Sequence, residues 1–109
     1  MNPWILLFIG GALEVGFTTF MVLSEGFTKW FHVALFFVCA VGSFVFLSMA
    51  MKSIPLGTAY AVWTGVGALG TAAVGMIFFK DPITFSRVFF LLLLVFSIIG
   101  LKLVSADTN

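Results

Sequence analysis

Charge is what this chain has least of. Five basic and four acidic side chains make up 8% of its 109 residues, where soluble domains carry roughly 25%. So few polar groups cannot cover the surface of a water-soluble domain, and with 62% hydrophobic residues the composition implies a chain dissolved in lipid. The net charge of +1 supplies no basic stripe, which excludes nucleic acid as a partner. Cysteine is as scarce: Cys39 stands alone in an apolar run, so neither a disulfide framework nor a thiolate metal site can be built from it, and no metal or other cofactor is expected. The first apolar run has no basic segment ahead of it and carries Glu14 in its middle, so residues 1–23 are expected to be mature structure rather than a leader.

What remains is organised in lengths that fit a bilayer. A hydrocarbon core takes roughly 20 residues per helix, and the basic residues and prolines divide the sequence at about that interval. Four spans are expected, at about 3–23, 30–51, 56–79 and 84–104, forming one all-α transmembrane domain of residues 1–109. Asn2-Pro3 offers a side-chain cap and a first-turn proline. SEGFTK links the first two spans, Pro55 biases Ile54 away from helix after KSIP, KDP turns into the last span, and SADTN is a polar tail.

Links this short make neighbouring helices antiparallel and bring both termini to one side of the membrane. Lys52 and Lys102 then fall on the terminal side and Lys29, Lys80 and Arg87 on the other, a split too even for positive charge to set an orientation. Two copies inserted in opposite directions would create the inverted pair that many transporters obtain by internal repeat. An antiparallel, dual-topology dimer is the expectation, against a fixed orientation set by other features.

Glu14 is the residue that composition makes conspicuous. Counted from Pro3 at about 1.5 Å per residue it lies roughly 15 Å deep, near the middle of a core about 30 Å thick. Placing an ionisable group there costs at least about 2.5 kcal/mol, and such groups mark substrate or proton pathways. No Lys or Arg stands mid-span to pair with it. Desolvation favours the neutral carboxyl, so Glu14 is suited to exchanging protons and receiving a cation; the alternative is a permanently protonated side chain that serves packing.

Helical spacing places Leu7, Gly10, Gly11, Glu14, Phe17 and Thr18 on one face, the glycines leaving room beside the carboxylate and Thr18 within reach of a hydrogen bond to it. In the third span Tyr60, Trp63 and Gly67 share a face at i, i+3 and i+7. Their rings suit an organic cation through cation-π attraction, or else are ordinary core or lipid-facing aromatics. Ser43, mid-way along the second span, either orients Glu14 or bonds back to its own helix. Trp4 and Trp30 sit at span ends, where interfacial aromatics are common. GVGALG spells a dinucleotide-loop pattern, but no strand can precede it here; Gly65, Gly67 and Gly70 serve helix packing or a bend. His32, Glu25, Asp81 and Lys102 lie near span ends or in loops and read as solvated.

The chain resembles the small multidrug resistance family from end to end, through MNPW, GGALEVGFTTF, SEGFT, PLGTAYAVWTGVGALG and IIGLKLVS. The resemblance implies a multi-pass protein of the bacterial inner membrane, a dual-topology dimer exporting cations in exchange for protons. It also implies Glu14 as the shared proton and substrate site, walled by Phe17, Thr18, Ser43, Tyr60 and Trp63. WTGVGALG, FFKDP and IIGLK look like the guanidinium-exporter branch, whereas Thr18, Thr19 and SEGFT look like the quaternary-ammonium branch. Phe17 stands near where guanidinium exporters usually carry a Trp that bonds the glutamate, and Val22 where many members have a Lys. Three readings follow: an exporter of guanidinium-like cations, which is narrowly favoured, a quaternary-ammonium exporter, and one subunit of a heterodimer. No nucleophile, base pair or metal cluster supports an enzyme.

Overall fold

A computed structural model describes residues 2–108, with side chains described through Val104. Four helices follow in order: α1 (Pro3–Leu23), α2 (Trp30–Ala50), α3 (Leu56–Phe78) and α4 (Phe85–Thr108). Each is long and apolar enough to cross a membrane, α4 over Phe85–Val104. The breaks fall where local chemistry puts them. The Asn2 side chain accepts from the Trp4 N–H at 2.8 Å with Pro3 at the first turn, satisfying a donor that the helix itself leaves free. Thr84 accepts from the Arg87 N–H at 3.2 Å and opens α4.

The helix bounds expected from sequence lie within a residue of those observed, with one exception. α4 continues through 105–108 instead of ending at 104, because LVSADT contains neither proline nor glycine and nothing else forces the backbone to leave the helix. Asn109, the end of the expected polar tail, lies outside the described residues.

Close contacts fix the directions of the helices. Along α1, Gly10 meets Ser43, Leu13 meets Gly42, Gly16 meets Cys39 and Phe17 meets Phe36, so α2 runs antiparallel to it. Gly11 meets Val66, Glu14 meets Gly67, Val15 meets Gly70 and Thr18 meets Thr71, so α3 runs parallel to α1. α4 packs on α3 through Ile98 and Leu94 against Gly65. Lys102 lies 5.9 Å from the Trp4 ring centroid, which puts the two chain ends on one side.

The tight core is confined to that side. Leu6, Leu7, Leu47, Ala50, Ile54, Ala59, Val62, Trp63 and Ile98 form it, drawn from the helix segments near the termini and, for Ile54, from the α2–α3 link. Toward the other side α1 and α3 carry threonines and glycines at their contact, and clefts open between them. Of α4's described side chains only Ile98 is buried, which leaves most of its apolar surface facing outward. Glu14 sits where the closed half of the bundle gives way to the open half.

Candidate functional site

The place of Glu14 is made by a missing side chain. α1 lies so close to α3 that a Cβ added at Gly67 would overlap the Glu14 carboxyl, and one at Gly11 would fall 2.5 Å from Val66 Cγ1. Only small residues permit this approach, and it seats the carboxylate directly on the α3 backbone. The carboxylate is partly buried, and its enclosed Oε1 has no hydrogen-bond partner among the described residues. Lys29 and Glu25, 3.5 Å apart and exposed, are the ion pair found among the described residues. Glu14 therefore retains both its hydrogen-bonding capacity and its attraction for a cation.

One turn toward the termini, a three-member relay ties the helices together. Trp63 Nε1 donates to Ser43 Oγ at 2.9 Å, and Ser43 Oγ donates to the Gly10 carbonyl at 2.7 Å. Trp63 and Ser43 are both buried. Gly10 provides the space, since a Cβ there would stand 3.1 Å from Trp63 Cδ1. Ser43 thus bonds neither Glu14 nor its own helix: it bridges α3 to α1 and uses up the indole donor on the way. Trp63 presents its ring, with its N–H spoken for.

Aromatic rings line the neighbouring wall. Phe17 packs edge-on to Phe36 at 5.8 Å and lies 6.1 Å from Phe44, Phe44 lies 5.6 Å from Trp63, and Trp63 lies 5.7 Å from Tyr60. Tyr60 ends this row with 56% of its surface exposed. Phe36 and Phe44 were not singled out from sequence, because α2 is apolar on every side and offers no periodic signal that distinguishes its site-facing positions.

Thr18 also departs from expectation. Its hydroxyl does not reach Glu14; it contacts the Val15 carbonyl at 3.0 Å and Thr71 Oγ1 at 2.9 Å. Thr71 went unremarked in the sequence for want of a partner at readable spacing. Gly65 and Gly67, which the sequence groups together, face different neighbours: Gly65 receives Ile98 of α4 and Gly67 receives Glu14. A partly buried carboxylate beside an apolar aromatic wall, with no fixed cation paired to it among the described residues, has the chemistry to accept a proton or an organic cation.

Comparison with known proteins settles the lineage. The family model described as Small Multidrug Resistance protein matches residues 2–94. The chain belongs to the small multidrug resistance family. Among its relatives it is 43% identical over 102 residues to the guanidinium exporter of Proteus vulgaris, covering 94% of this chain and 98% of that one. It is 41% identical over 100 residues to the guanidinium exporter of Escherichia coli strain K12, with 92% and 95% covered. It is also 44% identical over 105 residues to the probable guanidinium efflux system subunit GdnD of Bacillus licheniformis, with 94% and 98% covered. A member of the small multidrug resistance family with these four helices is a multi-pass protein of the bacterial inner membrane and a small-cation efflux transporter, not an enzyme.

Proposed function

We propose that the protein exports guanidinium and its small alkylated derivatives in exchange for protons, with Glu14 binding either the cation or the proton. The observation that carries this reading is the seating of Glu14 on Gly67 with an enclosed, unpartnered oxygen. A carboxylate so placed gains most by accepting hydrogen bonds from a planar N–H-bearing cation or by taking up a proton. Because one group serves both, the two ligands compete, and that competition gives antiport when the site changes sides only while loaded. The relatives named as guanidinium exporters support the same choice of cation. Phe17, Phe44, Tyr60 and Trp63 wall the site, and Gly67 sets its depth.

The transporting unit in this proposal is an antiparallel dual-topology homodimer, supported by the even split of basic residues and by the outward apolar surface of α4. A second reading, a heterodimer inactive without its partner, is favoured by the Bacillus relative being named a subunit. A quaternary-ammonium exporter is the remaining alternative, supported by the scarcity of free donors in a wall where the Trp63 N–H is already engaged. Currents on solid-supported membranes with guanidinium, methylguanidinium, tetramethylammonium and tetraphenylphosphonium separate these readings. Guanidinium and methylguanidinium should give the largest currents. Large tetraphenylphosphonium currents with none for guanidinium would reverse the order, and silence for all four would favour the heterodimer.

A further inference from the structure

A second carboxylate lies on the same seam, on the open side of the bundle. Lys80 adopts a left-handed backbone (φ 61°), and the Asp81 N–H donates back to the Gly75 carbonyl at 3.0 Å. The α3–α4 link thereby folds over the end of α3, and the Asp81 carboxylate comes to rest on Gly75, where an added Cβ would overlap it. Asp81, Thr18, Thr19, Thr71 and Gly75 line one part of a cleft of about 210 Å³ between α1 and α3, and apolar side chains, Val74 and Phe79 among them, line the rest. The seam reads Glu14 on Gly67, Thr18 on Thr71, then Val22 and Gly75 at the cleft. Eight residues of α1 from Glu14 to Val22 set the two carboxylates about 12 Å apart along the helix axis.

The hydroxyls in this cleft are rich in acceptors. Thr19 Oγ1 donates to the Val15 carbonyl at 2.7 Å, and Thr18 Oγ1 donates to the same carbonyl at 3.0 Å. Thr18 and Thr71 share a 2.9 Å bond in which either hydroxyl can be the donor. Each hydroxyl carries a single hydrogen and two acceptor lone pairs, so Thr19, whose hydrogen is committed, offers the cleft acceptors only, and Thr71 keeps at least one acceptor lone pair in either direction of its bond. Beside them stands a carboxylate with no ion pair among the described residues. Anions are repelled by such a lining, and a cation without N–H groups uses only its charge. A guanidinium group, with planar N–H donors, can use every oxygen present.

We propose that Asp81, Thr71 and Thr19 form an outer station where an N–H-bearing cation pauses between water on the loop side and Glu14. The station deepens the proposed guanidinium export and rests on it for its role in transport, but it binds cation without Glu14. The test is a titration of Glu14→Gln protein, in which the central site is removed, with guanidinium chloride against matched sodium chloride, read by amide NMR shifts in bicelles. Shifts at Thr71, Gly75 and Asp81 are expected, reduced at least about tenfold in apparent affinity by adding Asp81→Asn and absent with tetramethylammonium. No shift at these amides in Glu14→Gln protein overturns the station, as does an equal response to tetramethylammonium. In transport, Asp81→Asn on the wild-type background should raise the guanidinium concentration for half-maximal current several-fold and leave the maximal current near wild type, with Asp81→Glu restoring it. Failure of wild-type protein to carry guanidinium while the shifts persist would refute the export reading and leave the station standing.

Discussion

Gly67→Ala is the smallest change that tests how Glu14 is held. The added methyl would lie 2.8 Å from Glu14 Cγ and would overlap the carboxyl group beyond it. Either α1 and α3 separate or the Glu14 side chain leaves its seat. Overpacking of this kind costs about 1–3 kcal/mol, and the side chain is the softer of the two, so most of the change should appear as displacement of the carboxylate. Guanidinium affinity of the purified protein, followed by tryptophan fluorescence or calorimetry, should fall by roughly ten- to a hundredfold. Two further glycines supply controls. Gly65→Ala meets Ile98 Cδ1 at 2.8 Å and touches nothing at Glu14, so it should lower the unfolding temperature and spare affinity. Gly57→Ala has nothing within 4 Å and should change neither. Wild-type affinity in Gly67→Ala, or an equal affinity loss in Gly65→Ala, would refute the argument that Gly67 positions the carboxylate.

Ser43→Ala should destabilise more than Trp63→Phe in chemical unfolding from detergent micelles. The first orphans the Trp63 N–H and removes a second bond to the Gly10 carbonyl, which keeps its intrahelical partner, whereas the second leaves the Ser43 bond to Gly10 intact, and an orphaned buried group costs about 1–3 kcal/mol. The cavity left by the larger ring works in the opposite direction, so equal or inverted losses would mean that the relay contributes little. Phe17→Trp, placed between Phe36 and Phe44 one turn from Glu14, supplies a new indole donor. It should raise the ratio of guanidinium to tetramethylammonium current, and an unchanged ratio would show that the ring does not reach the bound cation.

The parts of this structure that could be read from sequence are those where one residue conflicts with its surroundings. Glu14 in an apolar run, Pro55 and Lys80-Asp81-Pro82 between such runs, and the Tyr60, Trp63 and Gly67 spacing each announce themselves through cost or periodicity. Pairings between helices do not. From sequence Ser43 could serve Glu14 or bond back to its own helix, and its choice of Gly10 depends on Gly10 having no side chain and on the α1–α2 register. Thr71 gains meaning only when α3 runs parallel to α1 and brings it to Thr18. Asp81 is exposed, as its place in a loop suggests, but its seat on Gly75 depends on the positive φ of Lys80, which turns the chain back over the end of α3. α2 and α4 carry apolar residues all round, so the phenylalanines that face the site could not be told from those that face outward. α4 also outruns its apolar stretch, since helix continuation into water requires no hydrophobic signal.

The central claim is that one carboxylate serves both proton and cation, and it is tested most directly by counting protons. Guanidinium added to the purified, weakly buffered protein should release protons from Glu14 as the cation displaces them, and Glu14→Gln should release none while remaining folded. Release of the same number of protons by Glu14→Gln would place the exchangeable proton elsewhere and contradict the account.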